Sequence, residues 1–178
     1  MKRFLITVYI VLTAWLTACT ASQPPTKVVT PLKPVTLNST VKIITGQTVY
    51  VPIYSQIFMW DQSRTMDLTA TLSIRNTDLK QPIIITSANY YNNQGQLIRK
   101  YLEQPVELGT LASTEFVVHQ DDSSGGTGAA FVVEWIAQHA VSTPVIESVM
   151  INTSGNQGVS FVSPGRIIQQ RGNSKNPV

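Results

Sequence analysis

The chain has 178 residues, 43% of them hydrophobic and 13% charged, with a formal charge of +3 and a single Cys. That length suits one domain behind a leader, and one Cys excludes both an intramolecular disulfide and a zinc site built on several thiolates. Basic residues gather only in a thin tail of Arg166, Arg171 and Lys175, so the electrostatic footprint of a nucleic-acid binder is missing and no nucleic-acid partner is expected.

Residues 1–3 (MKR) form a short cationic start, and residues 4–16 (FLITVYIVLTAWL) an uncharged, mostly apolar run. The run is too short for a bilayer core, which needs roughly 20 residues. With the small residues that follow, it predicts a secretory signal peptide over residues 1–18. Residues 16–19 (LTAC) resemble the lipobox of bacterial lipoproteins. That resemblance implies that the Cys19 thiol receives a diacylglyceryl group and that its freed amine is acylated, a chemistry that needs the thiolate as nucleophile. Acyl chains give about 0.8 kcal/mol per buried CH₂, so two or three would hold the protein on a membrane. The expected location is extracytoplasmic, on the periplasmic face of the outer or inner membrane. Thr20, standing where Asp favours inner-membrane retention, leans toward the outer. Lys2 and Arg3 leave with the signal, lowering the formal charge from +3 to about +1.

Residues 19–40, with Pro24, Pro25, Pro31 and Pro34, have no helical period and little to bury. They predict an extended tether that lifts the domain some 50 Å at roughly 3.1 Å per residue.

The domain is expected over residues 41–168 and reads as β throughout. In residues 48–54 (TVYVPIY), Val49, Val51 and Ile53 share a face. Residues 66–74 alternate more cleanly, with Met66, Leu68, Ala70, Leu72 and Ile74 against Asp67, Thr69, Thr71 and Ser73. A period of two is the mark of a half-buried strand. Residues 82–91 (PIIITSANYY) are β-branched and aromatic, residues 92–95 (NNQG) have turn chemistry, and residues 97–102 offer a returning hairpin arm. Residues 115–119, 129–136, 145–152 and 158–163 complete the set, while residues 135–140 hold a helical turn at most. Short strands without intervening helices predict an immunoglobulin-like antiparallel sandwich, with a small β-barrel as the alternative. The expected core is Val49, Val51, Leu68, Leu72, Ile74, Ile84, Phe116, Val118, Phe131, Val133, Trp135, Val149 and Ile151. Pro52 is expected on an edge or a bulge, because it lacks a ladder donor. Residues 169–178 are polar and read as a disordered tail.

Residues 49–55 (VYVPIYS), 72–78 (LSIRNTD), 126–135 (GTGAAFVVEW) and 157–161 (QGVSF) resemble the bacterial lipoproteins grouped as domain of unknown function 3124. The resemblance covers roughly residues 45–167. It implies no activity and no catalytic residues.

The candidate sites follow from residue chemistry. Tyr50 and Tyr54, opposite Val49, Val51 and Ile53, combine with Phe58, Trp60, Tyr90, Tyr91 and Tyr101 into an aromatic set. Its tyrosines Tyr50, Tyr54, Tyr90 and Tyr91 are the expected binding surface, suited to stacking or to the centre of a protein contact. Asp121 and Asp122, in a loop rich in Ser and Gly, are a candidate cation site, although their spacing matches no EF-hand. Glu134 and Glu147 lie on neighbouring predicted strands, but Glu134 points to solvent. His119 and His139 belong to no nucleophile or metal motif, and no G-x-S-x-G elbow is present. Arg166 is expected to pin the last strand through an acid.

The expected function is a non-enzymatic protein-interaction or assembly module, held on a membrane by Cys19, with a protein partner and no cofactor. The alternative is a ligand-binding lipoprotein for an envelope glycan or a cation such as calcium.

Overall fold

The computed structural model describes residues 32–38, 41–154 and 158–172. The predicted signal peptide, Cys19 and the tether up to residue 31 lie outside the described residues.

Among the described residues thirteen strands follow one another: β1 (Lys33–Pro34), β2 (Thr45–Ile53), β3 (Gln56–Phe58), β4 (Thr65–Asp67), β5 (Thr69–Arg75), β6 (Ile83–Tyr91), β7 (Leu97–Lys100), β8 (Val106–Leu108), β9 (Ser113–Val118), β10 (Ala129–Ala137), β11 (Val145–Asn152), β12 (Val159–Pro164) and β13 (Arg166–Arg171). A larger sheet has the order β1-β8-β6-β10-β2-β13, with β7 also paired to β6, and a smaller one the order β12-β11-β5-β9. β3 and β4 form a separate hairpin. Both main sheets are open and antiparallel, and they enclose one core. The chain is thus an all-β sandwich and not a barrel.

Nine of the expected core residues sit at the centre: Val49, Val51, Leu68, Leu72, Ile74, Val118, Phe131, Val133 and Trp135. Strict alternation in β5 explains part of this, because Ala70, Leu72 and Ile74 share the inward face. Phe116 is only half buried against that core, and Ile84 is buried outside it.

Val149 and Ile151 were expected inside and face outward instead. On β11 the inward set is Ile146, Ser148, Met150 and Asn152. Its two polar members are satisfied internally: the Ser148 hydroxyl donates to the Pro52 carbonyl and the Asn152 amide to the Asp67 carbonyl. A buried polar group with a partner loses little, so the more apolar phase of this strand is left on the surface.

On β6, Ile83 and Ile85 point inward, then Ala88 and Tyr90. The parity switches because the register with β10 slips between Glu134, opposite Ser87, and Trp135, opposite Ile85. Thr86 is the extra residue of this β-bulge, and its hydroxyl donates to the Glu134 carbonyl.

Pro52 lies past Tyr50, the last β2 residue paired with β13, so its missing N–H removes no bond from that ladder. The tether expectation is corrected at β1, where Lys33 and Pro34 pair with Glu107 and Val106. The tail expectation is corrected at Gln169, Gln170 and Arg171, which pair with β2. Arg171 ion-pairs with Glu134 on β10, reaching across β2 above Gly46; this is the kind of pin expected of Arg166. Residues 135–137 are strand, and the predicted strand over 66–74 is split at Leu68, whose N–H donates to the Ser55 carbonyl.

The chain passes from the small sheet to the large one at Gly165. A Cβ there would stand 2.6 Å from the Ile146 carbonyl oxygen and 2.7 Å from Val49, so only glycine fits the crossing.

Candidate functional site

The four tyrosines do not share a surface. Tyr90 is buried in the core with its ring 5.1 Å from that of Phe131. Burial pushes its hydroxyl up from the ordinary value, and no hydrogen bond satisfies that hydroxyl. The nearby Ser55 hydroxyl, which donates to the Gly126 carbonyl at 3.1 Å, opposes that rise. Tyr90 therefore drops out of the expected binding surface. Tyr54, just past β2, packs edge-on against Phe161 at 5.8 Å and belongs to the margin of the core.

Tyr50 and Tyr91 remain together, on the outer face of the large sheet. Tyr50 stands opposite Val132 on β10, and Tyr91 opposite Ala130 on the same strand. With Asn92, Asn93, Gly95 and Gly128 they line an open groove of about 350 Å³. The Asn92 carboxamide fixes one wall by accepting from the Gln94 and Gln96 amides. Two rings, two amides and a floor of small residues, with no Lys, Arg, Asp or Glu in the lining, offer stacking and hydrogen bonding without charge.

The Asp121/Asp122 loop is already occupied by its own chain. Asp122 ion-pairs with Arg99 at 2.9 Å and accepts from the Ser124 amide and hydroxyl. Burial raises its carboxyl, but the Ser124 bonds and Arg99 outweigh it, so the net pKa lies below the ordinary aspartate value. Asp121 is exposed beside it. Among the described residues no three of His, Cys, Asp and Glu gather where they could hold a metal ion. Glu134 and Glu147 fall in different sheets, paired with Arg171 and Arg75 respectively, and so do not face one another. His119 and His139 are both exposed. Among the described residues no helix is long and apolar enough to cross a membrane.

The outward phase of β11 creates a face that the sequence reading missed. Val162, Val149, Thr71 and Val117 lie directly opposite one another across all four strands of the small sheet. Ile151 and Thr69 continue the next row. Val117, Ile151 and Val162 are 38%, 41% and 54% exposed. On one flank Glu147 ion-pairs with Arg75 at 3.3 Å. An apolar stripe beside a charged flank is the anatomy of a protein contact. The signal was present in residues 145–152 (VIESVMIN), where Ser148 and Asn152 alternate with Val149 and Ile151.

A family model described as "Protein of unknown function (DUF3124)" matches residues 46–168. No curated protein matches the sequence. Among solved structures, the one titled "Crystal Structure of Thermotoga maritima 1070" is similar with a TM-score of 0.41 and 10% identity, over 67% of this chain and 92% of that one.

Proposed function

The chain belongs to the family described as protein of unknown function DUF3124, and since that membership supplies no activity, we propose from its surfaces that it is a non-enzymatic docking module, displayed outside the cytoplasm by a lipid on Cys19. The support for the anchor is the signal-like start and the Leu16-to-Cys19 lipobox. The observation that carries the docking reading is the inverted β11, which buries Ser148 and Asn152 while turning Val149, half-buried, and Ile151, exposed, to the outer face. The occupant is a protein with a flat, apolar face of its own. A small molecule needs a concave site, and a sheet face of Val, Ile and Thr beside an Arg75–Glu147 pair holds no free positive field for a nucleic acid.

The test is a photo-crosslinking residue at position 117 in intact cells, with adducts identified by mass spectrometry. An adduct to a defined protein is expected, and Val149→Lys with Val162→Lys should abolish it. Both sites lie on the outer face of the small sheet, Val162 exposed and Val149 half-buried, so the double variant should lose about 1 kcal/mol of stability. A partner that survives the double variant refutes the docking face, and an adduct to a second copy replaces the partner with self-association. In parallel, Cys19→Ser should leave an uncut, unlipidated precursor; a mature, membrane-held variant refutes the anchor.

The groove at Tyr50 and Tyr91 favours a second reading, a neutral glycan site. Its uncharged aromatic and amide lining suits sugar rings, which have an apolar face and hydroxyl rims. Chitotriose titrated into the protein should shift Tyr91-dependent NMR signals, with affinity at least tenfold weaker in Tyr91→Ala. No saturable shift with chitotriose, maltotriose or cellotriose removes this reading.

A further inference from the structure

The groove at Tyr50 and Tyr91 is the middle of a longer feature. Strand register carries one row of side chains across five strands on the outer face of the large sheet. Arg166 on β13 stands opposite Tyr50 on β2, Tyr50 opposite Val132 on β10, Val132 opposite Asn89 on β6, and Asn89 opposite Lys100 on β7. Cross-strand partners share a face, so Arg166 and Lys100 lie on the side of the sheet that carries the groove. Four strand spacings separate them, about 19 Å. Tyr91, opposite Ala130, belongs to the next row and stands across β10 from Tyr50.

The charge on this row is of one sign. Arg166 and Lys100 are exposed, and among the described residues neither forms a salt bridge. No acid stands between them. Glu134, one row away beside Thr48, is taken by Arg171. Arg99, next to Lys100, is taken by Asp122. Two cations thus bracket an uncharged centre of two phenol rings with the carboxamides of Asn89, Asn92 and Asn93. A matching ligand is charged at its ends and neutral in its middle. A nucleic acid or a polyuronate carries a charge on every unit, and its central charges would be desolvated over Tyr50 and Val132 without a partner. The rings and amides suit a sugar, which offers an apolar face to a phenol and polar groups to a carboxamide. Both cationic side chains have long stems that can reach inward along the face, and both donate strongly to carboxylates.

We propose that the outer face of the large sheet binds an acidic oligosaccharide in which two carboxylates flank an uncharged sugar. Arg166 and Lys100 hold the carboxylates, and the uncharged sugar lies in the groove at Tyr50 and Tyr91. This deepens the glycan reading of the groove and rests on it. It is independent of the small-sheet face and of the anchor.

The test titrates the full protein by calorimetry with two sugars. Hyaluronan tetrasaccharide has two uronates flanking an N-acetylated sugar; chitotetraose is neutral. At low ionic strength the hyaluronan fragment should bind about tenfold tighter, the worth of two exposed charge pairs. Arg166→Gln with Lys100→Gln should lower it to the affinity of chitotetraose and leave chitotetraose unchanged. Both sites are exposed, so Tm should not move. Raising the salt concentration, which screens exposed charges without altering the chain, should remove the same excess in the wild type. Equal affinity for the two sugars, or an excess that survives both the double variant and salt, overturns the proposal and leaves the groove reading standing. Hexaglutamate that binds as tightly as the hyaluronan fragment makes charge the sole determinant and also overturns it. Binding of neither sugar removes the proposal and the groove reading together.

Discussion

Asn76→Asp should remove a large part of the stability of the domain at neutral pH. Asn76 is buried just after β5, where three connections meet. Its amide donates to the carbonyls of Gln81 at 2.9 Å, Leu108 at 3.3 Å and Gly109 at 2.9 Å. Its side-chain oxygen accepts from the Asp78 amide at 3.0 Å, and its own N–H donates to the Ala112 carbonyl. One side chain thus ties the β5–β6 loop to the turn between β8 and β9. Asp78 extends the knot, accepting from the Ser142, Lys80 and Gln81 amides, which hold its carboxyl below the ordinary value.

Asn76→Ala leaves those carbonyls unpaired and should cost about 3 kcal/mol. Asn76→Asp turns a donor toward carbonyls into a buried charge and should cost about 4 kcal/mol or more, out of the 5–15 kcal/mol a domain typically has. The two variants differ in pH dependence. Burial among carbonyls raises the new carboxyl above its unfolded value, so the folded state binds the proton more tightly. Stability of Asn76→Asp should therefore recover as pH falls from 7 toward 5, while Asn76→Ala should not recover. Urea midpoints at the two pH values check this, and parallel behaviour of the two variants refutes it.

Gly125→Ala is the second large effect. A Cβ at Gly125 would lie 1.8 Å from the Tyr90 hydroxyl oxygen, 2.6 Å from the ring carbon bearing it and 2.8 Å from the Ala129 Cβ. Tyr90 cannot swing away, because its ring is packed against Phe131 in the core. Overpacking of this kind costs about 3 kcal/mol, or roughly 10 °C in Tm for a domain of this size. Tyr90→Phe alone should be close to neutral, since the lost hydroxyl has no hydrogen bond. In the double variant part of the loss should return, because the worst contact is to that oxygen. Thermal unfolding of the four proteins closes the cycle. Gly125→Ala within about 0.5 kcal/mol of the wild type would mean that the loop moves off Tyr90 freely.

How much of this could be read in advance depended on which strands obey their own periodicity. β5 does, and its inward residues were legible one by one. β6 does not: the bulge at Thr86 shifts the phase, so counting from Ile83 and Ile85 puts Tyr91 inside and Tyr90 out, the reverse of what is found. A run of two tyrosines cannot report a bulge upstream of it, and for that reason Tyr90 was expected on the surface beside Tyr91. β11 misled more deeply, since its more apolar phase faces outward, and only the long-range acceptors at Pro52 and Asp67 let Ser148 and Asn152 go inside. β1, β3 and β8, at two or three residues, are too short for any period to show. The Asp122 loop looked available because its partner, Arg99, is 23 residues away in sequence.

The pairing of β2 with β13 also sets an order of events in time. A chain emerges from its N-terminus, so Thr45–Ile53 is present long before Arg166–Arg171. At 5–20 residues per second the interval is roughly ten seconds. Through that wait one edge of β2 has no neighbour, and an unpaired edge recruits whatever strand is nearest. The strand Arg166–Arg171 is therefore a clock as well as a border: the sandwich cannot close until that strand has been made, and any delay lengthens the period in which the unfinished chain must be kept from its own kind.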